Sequence, residues 1–233
     1  MTLLTEHPCA DTAAMNASMA DAIEHRLAAA IASRGEALLA VSGGKSPIGW
    51  FERLSSADLD WSKVSVLLVD ERWVDESSDD SNAALVRRHL LRNAAKAARL
   101  VPLFNGGLSP FSARADLERL LGELDWPLDV AVLGMGADGH TASWFPDAPE
   151  YVDAVDENSS RRVAAIKTAS SPYPRITLTR AALLNQCNWV AVEWSGAAKA
   201  PTYDRAKAAL TPNLPISLML HQDRVPVEVW FAR

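Results

Sequence analysis

The chain predicts an α/β fold, a three-layer αβα sandwich built as a single domain over residues 1–233 around a mainly parallel sheet. Three observations carry this reading. Short apolar runs recur along the chain, at 37–41, 64–69, 130–133, 163–166, 176–178, 189–192 and 227–231. Most are continuous rather than alternating, the pattern of strands covered on both faces. Helical segments separate them, and 233 residues suit one generous domain better than two cramped ones.

Taken in order, the first helix carries Met15, Met19, Ile23, Leu27 and Ile31 on one stripe before Gly35 stops it. The strand ending at Val41 then hands over, through Ser42-Gly43-Gly44-Lys45-Ser46-Pro47, to a second helix with Ser46 as N-cap and Pro47 at its first position. Further helices are expected after Ser81, after Ser112 and after Thr179, each opened by a residue able to cap free backbone amides. The segments around 75–80 and 150–160 read as acidic loops, too short for domain linkers. Cys9 and Cys187 lie far apart without metal-ligand spacing, so neither a disulfide framework nor a zinc site is indicated, and Cys187 reads as a small core residue.

Twenty-three Lys and Arg against 29 Asp and Glu leave a net charge of −6. That balance disfavours a general nucleic-acid or anionic-membrane surface, so an anionic ligand must meet a local cluster of cations. With no long apolar span and no secretory leader, a cytoplasmic protein is expected. Nothing in the chain reports oligomeric state; a monomer or weak dimer is the working expectation.

Three loops can carry chemistry. In Ser42-Gly43-Gly44-Lys45, glycines let the backbone approach a ligand and free amides point outward beside a lysine, which suits a phosphate. A P-loop is excluded because Leu39 stands where its first glycine belongs. In Asp70-Glu71-Arg72, charges follow a buried strand at the carboxyl edge of the sheet, where open α/β sheets bind ligands. Period-two alternation sends Asp70 and Arg72 to one side and Glu71 to the other. The third loop runs from Gly134 to Ser143 and satisfies G-x-G-x-x-G. Pro146 and Pro149 interrupt the helix a dinucleotide site requires, which leaves a loop presenting Asp138 and His140, the latter able to accept a proton near neutral pH. Arg175 and Lys199 bring two more cations to strand and loop boundaries.

The segments SGGKSP, DERWV followed by DDSN, GMGADGHTAS and YPRITLT, with GAAK beyond them, occur in this order over 38–199. Together they resemble the 6-phosphogluconolactonases. The resemblance implies a modified Rossmann-like fold shared with glucosamine-6-phosphate isomerases, and hydrolysis of 6-phospho-D-glucono-1,5-lactone, with no cofactor and no catalytic metal. It further implies His140 as the base that activates water. Asp70 and Arg72 would orient the histidine, the sugar hydroxyls or the carbonyl oxygen. Ser42, Gly43 and Gly44 would hold the phosphate, closed round by Arg175 and Lys199. Asp138 joins the substrate contacts, as does Lys45 at a position where variation is expected. Pro201 means that the helix after Lys199 either starts there or is kinked.

Competing readings are an isomerase or deaminase of the same fold, which usually carries an aromatic residue in place of Arg72, and a sugar-phosphate-binding module without turnover. A serine esterase built on Ser42 fails because Ala40 replaces the glycine of a nucleophile elbow.

Overall fold

A strand that is apolar at every position must be shielded on both faces, and Ala37 to Val41 is buried throughout its length. The computed structural model describes residues 3–233. Along it run β1 (Leu4–Pro8), α1 (Thr12–Arg34), β2 (Ala37–Val41), α2 (Ile48–Leu54), β3 (Val64–Leu68), β4 (Asp70–Arg72), α3 (Asn82–His89), β5 (Arg99–Val101) and α4 (Pro110–Gly122). There follow β6 (Val130–Gly134), α5 (Tyr151–Val155), β7 (Val163–Ile166), β8 (Arg175–Leu178), α6 (Arg180–Asn185), β9 (Val190–Ser195), α7 (Ala200–Ala208), α8 (Ser217–Leu220) and β10 (Val227–Ala232).

Seven strands form one sheet in the order β1-β10-β9-β6-β2-β3-β5, with every pairing parallel. That order determines where the helices lie. From β1 the chain steps through β2 and β3 to β5 in one direction, then returns through β6 and β9 to β10 in the other. Right-handed crossovers therefore place α1 to α3 on one face of the sheet and α4 to α8 on the opposite face. Contacts of α1 with α2 and α2 with α3, and of α7 with α8, agree with that division. The direction reverses between the neighbours β2 and β6, so a crevice opens at their carboxyl ends. Here the loops after β2 and β6 are stitched together: Ser42 Oγ donates to the Val132 carbonyl at 2.9 Å and accepts from the Gly134 amide at 3.3 Å.

Several expectations are corrected. The runs at 163–166 and 176–178 do not join the parallel sheet; they pair antiparallel with each other, and β4 pairs with β8, in a second sheet ordered β4-β8-β7. Their apolar character reflects burial under α4, which packs against β7 and β8. The apolar-run criterion misses β1, β4 and β5, because edge or very short strands need no continuous apolar face. The helix expected after Ser112 begins at Pro110, where the Ser109 hydroxyl caps the Ser112 amide at 3.2 Å. The second helix begins at Ile48, with Pro47 in the cap position and no side-chain cap from Ser46. Within the acidic segment 150–160, Tyr151–Val155 forms a short helix anchored by the Tyr151 hydroxyl on the Pro212 carbonyl at 2.6 Å.

Other local readings agree with the structure. Gly35 ends α1 at φ 86°, and Ser81 and Thr179 cap α3 and α6. Pro201 sits in the first turn of α7, so the helix starts at Ala200. Cys187 is half-buried and packs against the core, where burial raises its thiol to about 12. One hydrophobic cluster extends through both sheets. Among the described residues no helix is long and apolar enough to cross a membrane.

Candidate active site

The crevice over β2 and β6 is an open cleft with a free volume of about 190 Å³. Ser42, Gly43, Gly44, Lys45, Asp70, Arg72, His140, Arg175 and Lys199 all line it, although they come from five separate stretches of chain. Four cations, Lys45, Arg72, Arg175 and Lys199, face one carboxylate there, Asp70. An acidic protein thus concentrates positive potential at one cleft.

The glycine turn forms part of its lining. Gly44 has φ +91°, a conformation that disfavours side chains. Among the described residues the amides of Gly43, Gly44 and Lys45 have no protein acceptor, so they are available to an anion. Gly43 is a glycine for a different reason: a Cβ there would overlap the side-chain amide of Asn82.

His140 lines the same cleft, held by its own loop. Its Nδ1 lies 2.6 Å from Asp138 Oδ1, and its backbone amide donates to the same oxygen at 3.2 Å. The hydrogen bond from His140 pulls Asp138 down to about 2, so Asp138 is an anion and can only accept. Nδ1 is therefore the donor, and Nε2 makes no hydrogen bond to the described residues. Gly136 makes room for the ring, since a Cβ there would collide with His140 Nδ1 and Asp138 Oδ1. The G-x-G-x-x-G pattern thus serves a histidine rather than a dinucleotide. Phe145 packs near both groups: the imidazole lies 4.6 Å from its ring and the Arg175 guanidinium 5.3 Å from it.

Asp138, expected among substrate contacts, is absent from the cleft lining, and its Oδ1 accepts from His140. The histidine is accordingly oriented by Asp138 and not by Asp70 or Arg72. Asp70, 5% exposed, accepts from Ser143 Oγ at 2.5 Å, from Arg175 Nη1 at 3.3 Å and from Asn82 Nδ2 at 3.3 Å. Arg72 donates to the Asp80 carbonyl at 3.1 Å and to Asn82 Oδ1. Alternation separates Glu71 as expected: fully buried on the far side, it accepts from the amides of Arg72, Asn82 and Ala83 and from the Ser81 hydroxyl.

Two residues absent from the sequence reading shape this site. Asn82 lines the cleft, but its position directly after a helix-capping serine reads as local structure. Glu193, in register with Gly134 on the neighbouring strand, is 1% exposed, and neither carboxyl oxygen has a hydrogen-bond partner among the described residues. Burial pushes it up to about 7, with the Trp50 indole and the Lys199 charge pulling against that rise. Burial lowers the Lys199 ammonium in turn, and Glu193 offsets this. A single acid inside an otherwise apolar strand is the signal that could have found it. Among the described residues no three His, Cys, Asp or Glu side chains are grouped as metal ligands.

Residues 10–229 match the family model described as glucosamine-6-phosphate isomerases/6-phosphogluconolactonase. A protein of Mesorhizobium japonicum named 6-phosphogluconolactonase is 46% identical over 215 residues, covering 92% of this chain and 90% of its own length. One of Pseudomonas putida with the same name is 40% identical over 230 residues, covering 97% and 92%. The crystal structure of a 6-phosphogluconolactonase from Shewanella baltica superposes with a TM-score of 0.92 at 34% identity, covering 100% of this chain and 98% of that one.

Proposed function

The chain belongs to the glucosamine-6-phosphate isomerase/6-phosphogluconolactonase family, and from that premise we propose that it hydrolyses 6-phospho-D-glucono-1,5-lactone to 6-phospho-D-gluconate, the lactonase step of the oxidative pentose phosphate pathway. The observation that carries the proposal is the meeting, in one cation-rich cleft, of a bare imidazole nitrogen and a turn of free amides. The phosphate rests on the turn Ser42 to Gly44, where the amides of Gly43 and Gly44 are free, with Arg175 and Lys199 beside it, and Lys45 adds charge at the rim. That anchorage brings the lactone carbonyl to His140. Nε2 takes a proton from water as the water oxygen bonds to the carbonyl carbon, and the tetrahedral oxyanion is stabilised by the Arg72 guanidinium. Collapse breaks the bond to the ring oxygen, which leaves with the proton held by His140. Asp138 keeps the imidazole in the required tautomer throughout, and Asp70 holds Arg175 in place.

The test is a coupled assay of 6-phosphogluconate formation. His140→Ala is expected to lower kcat by about 10²- to 10⁴-fold, the usual worth of a general base, while inorganic phosphate still competes at the parental concentration. Turnover at the parental rate removes His140 as the base. Release of ammonia from glucosamine-6-phosphate by the parent would instead assign the chain to the isomerase branch of the family.

A further inference from the structure

The side chain of Asn82 links both sides of the anion-binding half of the cleft. It stands at the first position of α3, where its backbone amide is already bound by Glu71 Oε1 at 2.7 Å, so its carboxamide is free for other partners. Nδ2 donates to the Asp70 carbonyl at 2.8 Å and to Asp70 Oδ1 at 3.3 Å. Oδ1 accepts from the Arg72 guanidinium. The same carboxamide fills the space that a Cβ on Gly43 would need. It is 1% exposed and its bonds to Asp70 are buried, so losing one of those leaves a buried polar group unpaired.

We propose that Asn82 is a positioning residue: its carboxamide holds the Arg72 guanidinium and the Asp70 carboxyl at a fixed distance from the Gly43 turn, and so sets where the oxyanion donor stands relative to the bound phosphate. The roles of Arg72 and the turn are those of the reading above, on which this rests. An amide is suited to the place because it offers an acceptor to the arginine and a donor to the aspartate at once. Asp and Ala each supply only part of that.

Three variants test it. Asn82→Ala is expected to lower kcat/KM for the lactone at least tenfold and to weaken inorganic phosphate binding, measured calorimetrically, at least threefold. Ser81→Ala, at the same helix start but outside the cleft, is expected to lower Tm at least as much while keeping kcat/KM within twofold. Asn82→Asp keeps shape and the arginine acceptor but sets a carboxylate against Asp70 Oδ1, so two acids share one site and one tends to take a proton. Its kcat/KM relative to the parent therefore rises as pH is lowered from about 8 to about 6, a dependence that a purely structural role would not produce. The charged and titratable groups around it, Glu71 at its backbone amide and Lys45, Asp70, Arg72, His140, Arg175 and Lys199 lining the cleft, are the same in variant and parent.

The phosphate titration separates this inference from the lactonase reading, because it needs no turnover. A parent that binds phosphate but leaves the lactone intact overturns the lactonase reading alone. Phosphate affinity within twofold of the parent in Asn82→Ala, kcat/KM within twofold, or a flat ratio across pH in Asn82→Asp overturns the positioning role.

Discussion

Replacing Glu193 by glutamine removes a titration that the fold makes costly. The carboxyl is enclosed by β9 and its neighbours with neither oxygen hydrogen-bonded to the described residues, and burial lifts it from an ordinary value of 4.5 to about 7. Between those two values the folded chain keeps a proton that the unfolded chain has released, so stability falls as pH rises through that window, and the full cost is present above about 7. At about 1.4 kcal/mol per pH unit the gap is worth about 3 kcal/mol. The carboxamide in Glu193→Gln does not titrate and has nearly the shape of the protonated acid. Urea melts of both proteins should therefore nearly coincide at about pH 4.5 and diverge above it, with the variant gaining up to about 3 kcal/mol relative to the parent by about pH 8. In thermal melts of a chain this long that is about 6–12 °C of relative Tm. A stability difference that stays level within about 0.5 kcal/mol across the range refutes the argument, and the carboxyl then has a partner.

Other consequences concern the cleft more directly. Asp138→Asn keeps the shape of the loop but leaves the imidazole without an anionic acceptor; steady-state assays should show kcat falling about tenfold or more, yet by less than the loss in His140→Ala. On the proposed reading, Arg175→Met removes a charge-assisted contact to the phosphate worth about 1.5–3 kcal/mol, so KM is expected to rise by about 10- to 100-fold. Unfolding of that variant should also come earlier in urea, because Asp70 loses its buried cation. Glu71→Leu strands three backbone amides and the Ser81 hydroxyl. A loss of about 2–4 kcal/mol in chemical denaturation is expected, and a loss below about 0.5 kcal/mol would mean that water replaces the carboxylate at the foot of α3.

Signals that act over a few residues were legible without coordinates. The four-residue stripe of α1, its stop at Gly35, the caps at Ser81 and Thr179 and the continuous apolar strands β2, β3, β6, β9 and β10 all depend on local spacing, and each appears where its pattern lies. So does the opposition of Asp70 and Arg72 to Glu71, which follows from the two-residue period of a strand. Boundaries were less legible: a Ser-Pro pair starts α4 three residues before the position expected from Ser112, and one helical turn sits in a segment that composition marks as loop. The cleft residues could be nominated because glycines, a histidine and charges directly after buried strands have few other reasons to be there.

What the amino-acid order determined alone is thus the set of elements and the pool of reactive groups at their ends. Which of those ends meet was decided by the sheet, because strand order is a contact between distant parts of the chain: β2 beside β6 brings Ser42 within hydrogen-bonding distance of Val132 and puts the glycine turn and His140 in one cleft. Only that assembly moves two apolar runs into a second sheet and encloses Glu193 beside Trp50 and Lys199, with neither carboxyl oxygen hydrogen-bonded among the described residues. The physical reason is that local periodicity records whether a side chain is covered, whereas what covers it depends on which segments pack together, and no short window of sequence contains both partners.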